Sequence, residues 1–364
     1  MNQPFSGTYQ DRPVFLTGHT GFKGSWLSVW LSRLGAKVTG YARAPSTKPN
    51  HFDAVKPDMT SVIGDLLDLE LLSRSMREAR PEIVFHLAAQ PLVRDSYEDP
   101  IETYNSNVMG TLHVCEAARR CQSVRAVVCI TTDKVYENLE REQAYRETDR
   151  LGGHDPYSSS KACAEILIAA YRRSYWPPGG YGKAHQVLIA SARGGNVVGG
   201  GDWSKDRLIP DIMKATAAGN NTVIRNPSSV RPWQHVLDCL SGYLLLGKHL
   251  LAGDTRAADG FNFGPPATDN LTVGDVCTAV KQCWPAAEFE FPSLKNQPHE
   301  AGLLRLDCSK AHDLLGWEAV WNADEAIRRT VDWYRGYHEA SLLRTGEDIG
   351  DYEKDARQKE AVWA

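Results

Sequence analysis

Residues 17–24 read "TGHTGFKG", and they follow the short apolar run Val14-Phe15-Leu16. Directly after them, in "SWLSVWLSRLG" (25–35), Trp26, Leu27, Trp30, Leu31 and Leu34 fall at helical spacing, and Gly35 ends the pattern. The glycines at 18, 21 and 24 therefore lie between a predicted strand and a predicted helix. That loop has to turn tightly, bring backbone amides close to a pyrophosphate and aim a helix N-terminus at negative charge. In this setting the triplet points to dinucleotide binding, with Gly18, Thr20, Gly21, Phe22 and Gly24 as the loop residues.

The pattern repeats outward from this loop. "AKVTGYA" (36–42), "SVIGDLLD" (61–68), "EIVFHLAA" (82–89) and "RAVVCITT" (125–132) read as further strands. A helix from about 69 to 79 and the amphipathic stretch "NVMGTLHVCEAARRC" (107–121) separate them. Strands alternating with helices predict an α/β fold with a doubly wound parallel sheet, a Rossmann fold. Beyond about residue 200 the chain turns to short elements, which predicts a smaller α+β substrate lobe. The expected division is a dinucleotide-binding domain over 1–190, a substrate lobe over 191–345 and a charged, mobile tail over 346–364.

At 364 residues the chain suits one large domain or two lobes sharing a cleft, and its formal net charge of -4 carries none of the basic excess of a nucleic-acid binder. The eight cysteines form no CxxC pair, so reduced core thiols are expected rather than a metal site or a disulfide frame. "MNQPFSGTYQDRP" has no apolar signal core, and no stretch reaches the length of a membrane span, so a cytoplasmic enzyme is expected.

The acidic residue expected about 20 positions after such a loop, to hold the ribose of NAD, is missing. Arg43 in "GYARAPS" could receive the 2′-phosphate of NADP or merely flank the adenine, and the motif leaves the choice open. Asp65, ahead of Leu66 at the end of the third strand, could partner the adenine amino group or cap the next helix.

In "DPYSSSKACAE" (155–165) Tyr157 and Lys161 are four apart on a helix and share a face. A phenol is a poor base at neutral pH. An ammonium beside it and the positive ring of an oxidised nicotinamide would favour the phenolate. With Thr132 at a parallel strand's carboxyl end, the three side chains form a set for moving a hydroxyl proton as a hydride leaves the same carbon. Asp133 and Lys134, next along, could be a solvated turn. At the cleft edge they instead suggest a second reaction with its own acid and base. Once C4 of a hexose is a ketone, the C5 proton is acidic, and the C6 hydroxyl can leave. Lys134 serves as base only if neutral, which desolvation would favour, and Asp133 as acid only if protonated, which burial would favour.

With these residues in view, the chain resembles the nucleotide-sugar 4,6-dehydratases of the extended short-chain dehydrogenase/reductase group. The segments that carry the likeness are "TGHTGFKG", "HLAAQPLVRDSY", "TTDKVYEN", "GHDPYSSSKACAE", "RGGNVVGGGDWSKDRLIPD", "RNPSSVRPWQHVLDCLSGYL" and "HEAGLLRLDCSKA", which span most of 14–335. The C-terminal half, with "GGGDWSKDRLIPD" and "RPWQHV", is most similar to the branch acting on CDP-glucose.

The resemblance implies NAD as a tightly held cofactor, CDP-glucose as the small-molecule substrate and a homo-oligomer, dimer or tetramer, paired through the two helices at 107–121 and 157 onward. It implies that Thr132, Asp133, Lys134, Tyr157 and Lys161 are active-site residues, leaving open which of the Asp-Lys pair is acid and which base. It places Ala88, Ala89 and Gln90 near the nicotinamide or the sugar, and Asn107 in the proton relay or in a buried structural role. Arg207, Arg231, Asn196, His299, Glu300 and Arg305 are the candidates for the substrate's diphosphate, sugar and ribose. Surface pairing or turn roles are the alternative for each. Trp203 and Trp233 could stack on the substrate or pack in the core. A 4-epimerase, or a dehydratase for another nucleotide sugar, is the rival enzyme, and a non-catalytic NAD-binding scaffold is the rival outside catalysis. The elimination pair argues against an epimerase, and the intact Thr-Tyr-Lys set argues against a scaffold.

Overall fold

In the computed structural model, which describes residues 3–266, 269–292 and 304–364, seven parallel strands form one sheet. They are β1 (Pro13–Thr17), β2 (Lys37–Ala42), β3 (Thr60–Ile63), β4 (Ile83–His86), β5 (Ala126–Ile130), β6 (Leu188–Arg193) and β7 (Gly260–Asn262). Their spatial order is β7-β6-β5-β4-β1-β2-β3. The central strands are buried on both faces, as a parallel sheet covered by helices requires. Successive residues serve opposite layers. Val14 and Leu16, Ile83 and Phe85, and Val128 and Ile130 face one core. Phe15, Val84, Val127 and Cys129 face the other.

The first layer is covered by α1 (Phe22–Arg33) and, later in the chain, α5 (Val236–Leu251), and the second by α2 (Leu69–Ala79), α3 (Gly110–Arg120) and α4 (Pro156–Ser174). α2 has the expected bounds. Asp68 caps it by accepting from the Leu71 amide, and Leu72 and Met76 are its buried side. The strand order reverses between β1 and β4. The loops after those two strands therefore border one crevice at the carboxyl edge, where ligands bind in such sheets.

After β6 the chain forms three short two-stranded ladders and the almost wholly buried α5 (Val236–Leu251). The far end differs from the expected charged tail. Residues from 345 on form α7 (Thr345–Gln358), which follows α6 (Ala323–Ala340). Its Ile349, Tyr352 and Ala356 are buried, and Trp30 donates its indole N–H to Glu353 (3.0 Å). Trp363 stacks on Phe5 at 4.9 Å between centroids and lies edge-on to Trp30 at 5.7 Å. The charges of this segment occupy one side of an amphipathic helix whose other side completes the core. No helix among the described residues is long and apolar enough to cross a membrane.

Candidate active site

The glycine loop is built as its spacing predicts. Gly18 has a φ of +77°, and a Cβ there would sit 2.6 Å from the Ala88 amide nitrogen on β4's exit loop. A Cβ on Gly24 would run into the Gly18 carbonyl. Gly21 is the N-cap of α1, and the helix start has neither a side-chain cap nor an acidic residue in its first turn. By contrast α2 and α4 are capped by Asp68 and Asp155. The bare amides of α1 thus suit a pyrophosphate. Thr20 donates to the Arg43 carbonyl (2.8 Å).

Arg43 itself is held by two carboxylates, with Nε on Asp65 (2.8 Å) and Nη1 on Glu102 (2.6 Å). Its charge is matched on the protein, which disfavours a 2′-phosphate. Asp65 also accepts from the Leu67 amide (2.9 Å), so both of its oxygens are engaged locally.

At the end of β5 the chain makes one short turn over Asp133–Val135. Thr132 donates to Asp133 Oδ1 (2.9 Å) and accepts from the Lys134 amide (3.3 Å). Asp133 is buried, and its Oδ2 has no partner. A Cβ on Gly195 would fall onto this carboxyl group, so the glycine is what leaves room for it. Lys134 is exposed, so the desolvation expected for it is not supplied by the described residues.

Tyr157 and Lys161 lie on the buried face of α4, and Lys161 donates to the Ile130 carbonyl (3.3 Å). Burial pushes the Tyr157 phenol up to about 12, with the Thr132 hydroxyl and Arg207 pulling down and Asp133 pushing up. Burial, then Lys23, brings Lys161 down to about 8, against the pull of Cys129 and Glu165. The chain alone therefore holds Tyr157 as a phenol, and a further positive charge beside it is what would make it a base.

The remaining expected residues divide. Arg207 pairs with the buried Asp202 (2.8 Å) close enough to Tyr157 to act on it. Asn196 stands in the left-handed region (φ +46°), where its carbonyl accepts from Gln234 (3.3 Å). Arg231 is half-buried on a short strand beside Trp233. Asn107 sits in a π-helical turn and bridges Gln90 to Ser160: its Oδ1 takes the Gln90 amide (2.9 Å), and its Nδ2 reaches the Gln90 carbonyl (3.0 Å) and Ser160 (2.9 Å). Those bonds hold Asn107 between the β4 exit loop and the helix of Tyr157. The Gln90 side-chain amide bonds to Leu92 and Thr103. Trp203 packs against Trp333, Tyr334 and Tyr337, and Trp233 donates to the Leu271 carbonyl (3.2 Å), so both rings belong to the packing. His299 and Glu300 lie outside the described residues. Arg305 accepts at its carbonyl from the Tyr145 amide (2.8 Å).

Three features were not read from sequence. Lys23 reaches from the glycine loop to the Tyr243 hydroxyl on α5 (3.4 Å), a pairing across 220 positions that spacing cannot signal. Gly195 makes room for Asp133. Glu165, one turn beyond Lys161, belongs to a buried ion pair with Arg193 (2.8 Å). Its i+4 placement was the available signal.

The arrangement sets a proton-transfer pair (Thr132, Tyr157) beside a buried carboxyl and an amine on one turn, facing a loop fit for a dinucleotide. Among the described residues no group of three or more ligating side chains could hold a metal ion. Residues 15–330 match the family described as GDP-mannose 4,6 dehydratase. The CDP-glucose 4,6-dehydratase of Salmonella typhimurium is 48% identical over 348 residues, covering 94% of this chain and 97% of that one. The UDP-glucose 4-epimerase of Thermus thermophilus, solved as a complex with NAD, superposes with a TM-score of 0.76 at 26% identity, over 89% of this chain and 99% of that chain. The dTDP-glucose 4,6-dehydratase of Bacillus anthracis, at 22% identity, shares the fold with a TM-score of 0.74 over 90% of this chain and 97% of its own. A family match over most of the chain and a relative so similar along its whole length agree with the site's geometry, and the chain belongs to the GDP-mannose 4,6 dehydratase family.

Proposed function

We propose that the protein is an NAD-dependent lyase that converts CDP-glucose to CDP-4-dehydro-6-deoxyglucose and water. The observation that carries this reading is the turn at 132–134, which sets an elimination pair against a proton-transfer pair at the cofactor edge. The 48% identity to a CDP-glucose 4,6-dehydratase supports the choice of substrate. The bare α1 amides, the glycines that admit no Cβ and the neutralised Arg43 fit NAD.

NAD, when bound, supplies the acceptor for the C4 hydrogen and gives that hydrogen back to C6. The chain does the rest. Tyr157, lowered by Thr132 and by added positive charge, takes the O4 proton as C4 becomes a ketone. Lys161, on the same helix face, contributes positive charge there. The ketone acidifies C5, and one member of the Asp133–Lys134 pair removes that proton while the other protonates the departing C6 hydroxyl, which leaves as water. The proton returns to C5 as C6 is reduced, so the net change is loss of one water. Lys134 is the remaining candidate for the base; it is exposed in the chain alone, so it takes that role only where bound substrate and cofactor cover and desolvate its amine. Asp133, buried with one oxygen unpartnered, fits the acid.

Arg207, Arg231 and Asn196 are our candidates for diphosphate and sugar contacts, since guanidinium forks match phosphate oxygens. A homo-oligomer paired through the α3–α4 face and a cytoplasmic setting accord with the resemblance.

Mass spectrometry tests the reading. Purified protein is incubated with CDP-, dTDP-, UDP- and GDP-glucose, without and with added NAD. Loss of one water from CDP-glucose alone is the expected result. Water loss from another of the four moves the substrate, and none from any sinks the lyase.

A further inference from the structure

The turn that carries Asp133 and Lys134 is fastened at both ends by one buried ionic network. At its entrance Thr131 donates its hydroxyl to Glu165 Oε1 (2.5 Å). The other oxygen of Glu165 accepts from Ser191 (2.8 Å) and from Arg193 Nη2 (2.8 Å). At the turn's exit the Tyr136 hydroxyl accepts from Arg193 Nη1 (2.8 Å) and donates to Asn262 Oδ1 (2.6 Å). Asn262 continues the chain of contacts to the carbonyls of Tyr145 (3.0 Å) and Asp307 (3.1 Å). Thr131, Tyr136, Glu165, Ser191, Arg193 and Asn262 are all buried. A buried ion pair adds little net stability over an apolar replacement of similar volume, so its presence calls for a reason of another kind.

The residues proposed for oxidation have anchors of their own. Asp155 caps the helix of Tyr157 (2.9 Å to the Ser158 amide), Ser160 donates to the Tyr157 carbonyl (2.7 Å), and Lys161 holds the Ile130 carbonyl. Lys134 has no such hold. It is exposed, and its turn is tied through backbone N–H groups: the Lys134 N–H on the Thr132 hydroxyl (3.3 Å), the Val135 N–H on the Thr132 carbonyl (3.4 Å) and the Gly152 N–H on the Val135 carbonyl (2.9 Å). Where its amine can reach is set by how the turn is clamped. Tyr136 closes the turn at the end opposite Thr132.

We propose that the Arg193–Tyr136–Asn262 arm of this network is a positioning device for the elimination step: it fixes the exit of the Asp133–Lys134 turn, while C4 oxidation depends on Tyr157, Lys161 and Thr132 at the other end. The inference rests on the dehydratase reading above. It assigns Tyr136, Arg193 and Asn262 no contact with the reacting atoms. They act through the turn.

The test is a single turnover of CDP-glucose with enzyme in excess, stopped with acid and weighed by mass spectrometry. Sugar nucleotide that has lost two hydrogens reports oxidation, that which has lost two hydrogens and a water reports elimination, and that which has lost water alone reports hydride return; the last two together measure water loss. In Tyr136→Phe, water loss should slow about tenfold or more while oxidation stays within about twofold, so the keto-sugar accumulates. Arg193→Lys gives a second reading, since it keeps the charge opposite Glu165 but lacks the second nitrogen that reaches Tyr136. Equal slowing of both steps, no change in either, or loss of folding in both variants would overturn the proposal. Failure of the unaltered protein to dehydrate CDP-glucose would instead overturn the function on which the proposal rests.

Discussion

Glu165 at the catalytic strand edge and Asp238 beneath the C-terminal helices are both fully buried carboxylates, and they titrate in opposite directions. Burial pushes Glu165 up, but the Arg193 guanidinium and the hydroxyls of Thr131 and Ser191 outweigh it and hold the group below its usual range. Asp238 has only neutral donors. Its Oδ1 accepts from the Val320 amide (2.6 Å), the Trp321 amide (3.3 Å) and the Tyr352 hydroxyl (2.7 Å), and its Oδ2 has no partner. Burial wins there and carries it up to about 7. The difference lies in a single guanidinium. The site keeps its charge ionised and aimed, whereas the C-terminal packing uses a carboxyl as a hub for backbone amides.

The sharpest way to break this contrast is to remove the guanidinium. Arg193→Met leaves Glu165 uncompensated and should cost about 3–5 kcal/mol in urea unfolding. A loss below about 1 kcal/mol would mean that the two carboxylates are not held differently. Next, Gly195→Ala tests how tightly the site side is fitted. The new methyl would displace the Asp133 carboxyl, and water loss from CDP-glucose should fall about a hundredfold with the melting temperature nearly unchanged. Normal turnover would show that Asp133 need not sit where it does.

The Asp238 side is tested by pH. A carboxyl whose folded value is raised binds its proton more tightly when folded. Its contribution is complete below the unfolded value of 3.8 and is lost as pH rises through about 7. Asp348, which burial also carries up to about 7, acts in the same sense. Asp238→Asn keeps an oxygen for the two amides and should flatten the decline in melting temperature across that window. An unaltered slope would assign the decline to other groups. The smallest effect should come from Arg328, half-exposed and paired with Glu325 (2.6 Å) and Asp332 (2.9 Å). Arg328→Ala should move stability by no more than about 0.5 kcal/mol.

The sheet was legible in the sequence because each of its central strands is apolar on both faces and is followed by a helix of regular spacing. The glycine triplet and the Tyr157/Lys161 pair were legible because their chemistry depends on neighbours three or four positions apart. Lys23 with Tyr243, and the choice of Arg193 as the partner of Glu165, depend on residues brought together only by the fold; the i+4 spacing marks Glu165 itself but not its partner. Asn107 and Gln90 were placed at the right edge, but whether a buried amide faces a ligand or a neighbouring carbonyl is decided by a single rotamer. The C-terminal segment was misread from its charge count. Ile349, Tyr352 and Ala356 recur three and four apart within it, and that spacing was the signal for α7.

Trp363 has a consequence for how the chain is made. All seven strands are available once Asn262 has been synthesised, and the sheet can assemble then. The Trp30 indole, at the near end of the chain, gains its Glu353 acceptor and its Trp363 edge only after nearly everything else has emerged. Until that moment Phe5 and Trp30 lack the ring that covers them, an apolar face of the kind that draws other unfinished chains. α7 is the latch of the sheet: until Glu353 and Trp363 dock against Trp30, the protein is built but unsealed.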